Sequence, residues 1–511
     1  MTKCSVCSNN SLNNKNLDNE QAKCILHCKK TDKNNWYILN NNTKTWNQKK
    51  LIIFWKYFNK QDYSNPKTFN SLIPPLPKYK YQTEHSINIE YSTILDTLEI
   101  YKTNELSILD TEVNGNITVH NSSTNSSRLF FSDNIHSGDI IVLQGNSENI
   151  NLHNIQANSI KLGKEEKDNF PNNYQSIEIT GDNTHIRCFD ICNTYIHNTF
   201  TMNNIKVDKF NCLNTIFNKK TEIKETIFSI SSYFENTKFN GLCDFYKTEF
   251  NDSQFKKTTF DDIVVFTESK FNKDVNFQYT TFSKLALFRK TKFENSVNFT
   301  DSIFREEANF LDMMAKVKNR ETARIIKNSF EQQNNIIEAN KFYALEMKKR
   351  EEELKDKNNQ DYDLKDWIIF LFHKISSNHS QDWLLSLFWI INITLLITFL
   401  QFEIAEERIV FYFLSITIIG MILLFIGSLF ISEVNNLYKS ISILIFSVIH
   451  YFIYGLLTHD FILCYVVNNI NPFSIMTGDD TLTTGIFIYK MIIAYLIYQF
   501  IISVRQNTRR N

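Results

Sequence analysis

Phenylalanine recurs at Phe228, Phe234, Phe239, Phe245, Phe250, Phe255, Phe260, Phe266 and Phe271, and on through Phe299, Phe304 and Phe310, in steps of six and five residues almost without a missed beat. An α-helix repeats its apolar positions every three or four residues and a half-buried strand every second one, so neither explains this spacing. Two residues before each Phe stands a small or β-branched side chain or a cysteine, as at Ser232, Thr237, Cys243, Thr248, Val264 and Ala286. Each unit thus offers one bulky and one compact inward position. A chain that turns a corner after every unit points both into a narrow lumen, and four units close one coil. Coils then stack at about 4.8 Å, which places equivalent residues above one another in ladders. An irregular all-β sandwich would have to produce the register by chance.

The alternation of five- and six-residue units resembles the pentapeptide-repeat family, over roughly residues 228 to 310. The resemblance implies a right-handed quadrilateral β-helix across 228–312. Upstream, residues 85–227 lose the beat, yet INIEY, LEIY, ITVHN, IIVLQ, INLHN and IEIT recur between Asn, Gly, Ser and Asp clusters. They read as irregular coils of the same β-solenoid, with a separate small β-domain as the alternative.

From Trp383 onward the composition changes. Four apolar runs, about 383–402, 409–431, 437–458 and 485–504, approach the length that crosses about 30 Å of hydrocarbon, and they predict a four-helix transmembrane domain over 381–511. A buried globular core is the alternative, but these runs leave too little polar chain to cover one. Lys365 and Lys374 precede the first span, Glu403, Glu406 and Glu407 follow it, Lys439 precedes the third, and Arg505, Arg509 and Arg510 end the chain. Arg408 is the exception. The bias predicts both termini in the cytoplasm of a multi-pass protein of the inner membrane. MTKCSVCSNNSLNNK has no apolar core of a signal peptide, which agrees with a cytosolic N-terminus.

Between the repeat and the membrane, 313–380 reads as a helical cap and juxtamembrane connector. Two amphipathic helices broken near Asn334 and Asn335, with Ile326, Phe330, Ile337 and Leu345 inward, would cover the open backbone edge of the last coil. The stretch resembles the connector of membrane-bound pentapeptide-repeat proteins at Arg324, Ile325, Ile326, Lys327, Ala339, Phe342, Tyr343, Glu346, Met347 and Arg350. WIIFLFHKI, residues 367–375, is expected along the inner membrane surface.

Residues 1–60 form a cysteine-bearing head. Cys4-x2-Cys7 and Cys24-Ile-Leu-His27-Cys28 are two compact ligand pairs, and thiolates so spaced wrap a tetrahedral ion in a reducing cytosol. They predict a small zinc knuckle with structural Zn(II), held by Cys4, Cys7 and Cys24 with either His27 or Cys28 as fourth ligand. Unligated surface thiols are the alternative. WYIL and LIIFWKYF are expected to pack on the knuckle. Cys188, Cys192, Cys212, Cys243 and Cys464 are scattered and read as buried packing residues.

The chain of 511 residues carries 55 basic and 55 acidic side chains, and from Phe228 to Phe310 the count is eleven against twelve, interspersed. That balance speaks against nucleic-acid binding and against DNA mimicry, an activity of some soluble pentapeptide-repeat proteins. There is no phosphate-binding glycine loop, nucleophile elbow or paired-His motif, and with eleven glycines in all the chain is not expected to be an enzyme. Two functions remain. One is a scaffold or sensor whose solenoid faces bind protein partners while the C-terminal spans hold it in the bilayer. The other comes from the resemblance, since related membrane proteins carry a two-span ion-channel module. Here Asp479 and Asp480 would form a cation-attracting ring in a homo-oligomer, with Lys490 as a further pore residue, paired with them or snorkelling to the interface. The segment lacks the Thr-x-Gly-Tyr-Gly type of filter, so the module would be degenerate. His450 reads as a polar contact between helices.

Overall fold

The computed structural model describes residues 172–355, 364–401, 436–474 and 483–508 continuously, and outside these only shorter stretches between 36 and 162 and between 411 and 420. The chain divides into two compact units, Met1–Ile325 and Ile326–Asn511.

The first unit is a stack of parallel strands. Phe228 lies in register with Phe250, Phe250 with Phe271 and Phe271 with Phe293, so one coil takes 21 or 22 residues. The phenylalanines fall into columns. In one, Phe234, Phe255, Phe277 and Phe299 stack face to face at 4.7, 4.9 and 5.1 Å. In another, Phe217, Phe239, Phe260, Phe282 and Phe304 stack at 4.8, 5.0, 5.4 and 4.5 Å. Rings of neighbouring columns meet edge to face, as Phe245 meets Phe255 at 5.8 Å, so each quadrupole faces a favourable partner.

Apart from Phe250 to Phe255, a five-residue step with no residue in the left-handed region, the two step lengths correspond to two kinds of corner. Each five-residue step after Phe234, Phe245, Phe255, Phe266, Phe277, Phe288 and Phe299 contains a residue in the left-handed region: Asn236, Lys247, Lys257, Glu268, Tyr279, Lys290 and Asp301, with φ between 53° and 60°. These corners are hydrogen-bonded turns, in which the carbonyl of Phe255 accepts the N–H of Thr258 at 3.2 Å and that of Phe266 the N–H of Ser269 at 3.1 Å. Positive φ at the third turn residue is the mark of type II. The six-residue steps, such as Phe260 to Phe266, contain no such residue. The Ser or Thr that closes each tight corner turns its hydroxyl inward to a carbonyl of the preceding coil: Thr258 to Phe234 at 2.6 Å, Ser269 to Phe245 at 2.7 Å, Thr291 to Phe266 at 2.7 Å. A buried hydroxyl is thereby satisfied within the lumen.

The parallel stack begins well upstream of the regular beat. Strands Ile87–Glu90, Glu105–Leu109, Ser127–Ser132, Ser147–His153 and Asn172–Thr180 pair in parallel order and continue into Phe200–Asn203 and Thr221–Lys224. Their inward column is mostly aliphatic: Ile108, Phe131, Leu152, Ile179, Met202 and Ile223 are all buried. A small antiparallel hairpin, Tyr37–Asn40 with Thr43–Trp46, precedes the stack. Next to it in the chain Trp36, Leu51 and Phe54 are buried, the Trp36 and Phe54 rings meeting edge to face at 6.1 Å.

At the C-terminal end of this unit, side chains of the first helical turn serve the last coil. Thr322 Oγ1 accepts the N–H of Phe299 at 2.9 Å and Glu321 Oε1 that of Asp301 at 3.0 Å. Phe304 and Ser302, expected fully inward, are only half-buried, because the strand Ile303–Phe304 has a parallel partner on one side only among the described residues.

The second unit is helical. Helix α1 (Arg320–Gln332) begins in the first unit, and α2 (Ile336–Lys355), α3 (Leu364–Ser377), α4 (Trp383–Gln401), α5 (Asn436–Thr458), α6 (Cys464–Ile470) and α7 (Thr484–Thr508) follow. The break between α1 and α2 falls at Asn334, with φ 55°, and Asn335 Oδ1 accepts the N–H of Glu338 to start α2. Ile326 and Phe330 are buried, and Leu345 is half-buried. Ile337 is not inward as expected but 39 % exposed, because it sits in the first turn of α2 before the face carrying Phe342 turns in; the Phe330 and Phe342 rings stack at 5.7 Å. Among the described residues three helices are long and apolar enough to cross a membrane: Trp383–Gln401, Ser440–Thr458 and Thr484–Gln506. Of the remaining expected span, 411–413 and 415–420 are helical and the rest lies outside the described residues.

Candidate functional site

Among the residues singled out from the sequence, Lys490 has the most specific surroundings. It lies in the second turn of α7, on a helix that packs against α4 through Tyr489, Ile493 and Leu496 with Ile390. It is 2 % exposed. Its ammonium donates to the carbonyls of Asn471 at 2.8 Å, Asn469 at 3.1 Å and Asn468 at 3.4 Å, and to Ser474 Oγ at 2.8 Å. These oxygens stand at the C-terminal end of α6, where unpaired carbonyls and the helix dipole gather negative potential.

The opposite end of α6 carries the complementary charge. Asp460 Oδ1 accepts the N–H of Cys464 at 3.0 Å, and Oδ2 accepts the N–H of Tyr465 at 3.3 Å and the hydroxyl of Tyr454 at 3.0 Å. A carboxylate at the first turn and an ammonium at the last bracket a seven-residue helix that is too short to hold itself in water. Further contacts fix its place. Asn469 Nδ2 donates to Thr398 Oγ1 at 2.9 Å and Gln401 Oε1 at 2.8 Å, and the Tyr489 hydroxyl lies 3.2 Å from both Thr394 Oγ1 and the Asn469 carbonyl. The segment 460–474 is therefore a short helix folded against the last two turns of α4. Asp460 escaped the sequence reading, although Thr-His-Asp before an apolar run is the pattern of a helix start.

A second polar cluster joins the end of α3 to α7. Asn378, His379 and Ser380 occupy the left-handed region in succession, with φ 48°, 57° and 63°. They hold His379 against His373, Nδ1 to Nδ1 at 3.2 Å, while the hydroxyls of Ser377 and Ser380 reach Gln499 Oε1 at 2.9 and 3.2 Å. Burial, with His373 alongside, holds the His379 imidazole down at about 4. Burial lowers His373 as well. His450 is a polar helix contact as expected: Nδ1 meets Asn392 Oδ1 at 2.8 Å, and Asn392 Nδ2 donates to Ser447 Oγ at 2.9 Å.

The other predicted site residues are distributed differently. Cys4, Cys7, Cys24, His27 and Cys28 lie outside the described residues, as do Asp479 and Asp480. Among the described residues no group of three or more His, Cys, Asp or Glu is placed to hold a metal ion. Cys212 and Cys243 are buried in the lumen as expected, but Cys188 is half-buried and Cys464 exposed. Cys464 is the first residue of α6. The Cys188 thiol is pushed up to about 11 by burial and by Asp190, which makes it a poor nucleophile at neutral pH. On the solenoid surface, charges pair across neighbouring coils, as in Lys224 with Asp244 at 3.1 Å, Lys238 with Asp261 at 2.9 Å and Lys284 with Asp262 at 3.2 Å.

Comparison with known proteins agrees with the geometry of the first unit: residues 234–281 match the family model described as pentapeptide repeats, in nine copies. No curated protein and no solved structure matches the chain.

Proposed function

Because the chain is a pentapeptide-repeat protein, we propose that it performs no catalysis and acts as a scaffold or sensor, tethered to the inner membrane and binding protein partners on its solenoid faces. In this reading the apolar helices α4, α5 and α7 cross the bilayer as part of a four-span domain. Both termini face the cytoplasm, and Cys4, Cys7 and Cys24, with His27 or Cys28, hold a structural Zn(II) in the head. The exposed Ile368, Ile369 and Phe372 of α3 rest on the inner membrane surface. Repeats that touch only their neighbours build long, stiff faces, a shape suited to display more than to chemistry. The paired charges across coils leave those faces without a strong field of either sign, which favours a partner recognised by shape and local polarity over a polyanion.

The observation that carries the scaffold over a pore is the ammonium of Lys490 at the end of α6. A conducting re-entrant segment turns its carbonyls to passing ions; here the carbonyls of Asn469 and Asn471 accept from the protein's own lysine. Single-channel recording of the full-length protein in a planar bilayer, beside an Asp479→Asn/Asp480→Asn variant, tests the choice. A silent bilayer with inserted, folded protein is the expected result. Cation-selective steps weakened by the two substitutions would replace the scaffold with a channel subunit regulated by the solenoid.

A further inference from the structure

The oxygens around Lys490 outnumber what a lysine needs. An ammonium group has three protons to donate, yet among the described residues four oxygens already stand between 2.8 and 3.4 Å from Nζ: three backbone carbonyls and the Ser474 hydroxyl. Converging carbonyls with a hydroxyl, at one end of a helix, are the way proteins replace the hydration shell of a monovalent cation. Potassium and ammonium are of nearly the same size, so one cage accepts either.

The cage also has its own support, independent of the lysine. Asp460 secures the start of α6, Asn469 is tied to Thr398 and Gln401, and Ser474 Oγ donates to the Asn471 carbonyl at 3.0 Å. None of these bonds involves Lys490, and together they set the positions of the oxygens that surround it.

We propose that the C-terminal end of α6, with the carbonyls of Asn468, Asn469 and Asn471 and the hydroxyl of Ser474, is a monovalent-cation site whose resident ion is the Lys490 ammonium. The lysine is a cation delivered on a tether, and it keeps the site filled at any salt composition. A chain lacking it recruits potassium or ammonium from solution in its place. The site stands whether the protein serves as scaffold or channel, because it concerns the occupant of the cage and not passage through it.

Full-length protein and its Lys490→Ala variant, each in lipid nanodiscs, are melted while tryptophan fluorescence is followed. The chloride salts compared are potassium, ammonium, tetramethylammonium and N-methylglucamine at equal ionic strength. The parent chain is expected to melt at one temperature in all four. The variant is expected to melt several degrees lower in N-methylglucamine and tetramethylammonium, and to recover most of that loss in potassium or ammonium. A variant that melts at the same temperature in every salt overturns the proposal, as does recovery in tetramethylammonium, which is too large for the cage. If Lys490→Ala does not fold, Lys490→Gln, which keeps a hydrogen-bond donor on the chain, takes its place. The expected potassium-dependent rise is then smaller, and its absence is equally fatal.

Discussion

The hydroxyl of Thr280 donates to the carbonyl of Phe255 one coil away at 2.6 Å, and the N–H of Thr258 reaches the same oxygen at 3.2 Å. One acceptor thus closes a corner within its own coil and ties that corner to the next. Replacing Thr280 by Val keeps shape and removes the tie. The expected cost is about 1 kcal/mol, the usual net worth of a buried neutral hydrogen bond, read as a fall in the midpoint of urea unfolding with an unchanged slope.

Position within the stack governs how much a phenylalanine contributes. Phe255 is fully buried, with ring partners on both sides in its column, whereas Phe304 is half-buried at the end of its own. Phe255→Ala is expected to cost about 3–5 kcal/mol, and Phe304→Ala clearly less than half of that. Equal losses at the two positions would contradict the burial pattern.

Tyr279 turns its corner at φ 60° with its side chain 49 % exposed. Left-handed backbone is costly for an aromatic residue and much less so for asparagine. Tyr279→Asn should therefore stabilise the solenoid by about 0.5–1 kcal/mol, visible as a higher thermal midpoint, while the same exchange at an exposed position with negative φ gives nothing.

His379 sets an acid limit on the second unit. Its folded value of about 4 lies below the ordinary 6.5, so the unfolded chain takes up the proton first. The stability linked to the neutral imidazole is fully present above about pH 6.5 and is lost as the pH falls toward 4. His373, Glu351 and Lys374 share its surroundings. His379→Asn, which suits the left-handed φ of 57°, should flatten the stability profile over this window; an unchanged profile would assign the acid limit elsewhere.

Asp460 accepts two N–H bonds and a hydroxyl at the start of α6. Asp460→Asn removes the charge and one set of acceptor lone pairs, for a loss of about 1–2 kcal/mol. Hydrogen exchange localised to 464–470 is the readout, since the helix bracketed by Asp460 and Lys490 should open before α4 or α7.

The solenoid was legible because its determinant is local and repeated: a Phe and a small residue in every unit state the lumen directly. The upstream coils were harder to read because their strands carry two inward aliphatic positions, such as Leu106 and Ile108, so no single residue type marks the period. Asn334 and Asn335 announced the break between α1 and α2 in their own chemistry. The surroundings of Lys490 had no such announcement, since its partners are backbone oxygens of Asn468, Asn469 and Asn471, and a carbonyl is the same in every sequence. His373 and His379 were overlooked for a related reason: their meeting depends on three left-handed residues in a row, a conformation that Asn-His-Ser permits without requiring.

The columns of Phe234, Phe255, Phe277 and Phe299 make the coils interchangeable. A duplicated or deleted block of 21 or 22 residues places every ring, hydroxyl and tight corner on an equivalent neighbour and alters only length. The solenoid is therefore a ruler graduated in strand spacings of about 4.8 Å, and a lineage can reset its reach one graduation at a time without redesigning a contact.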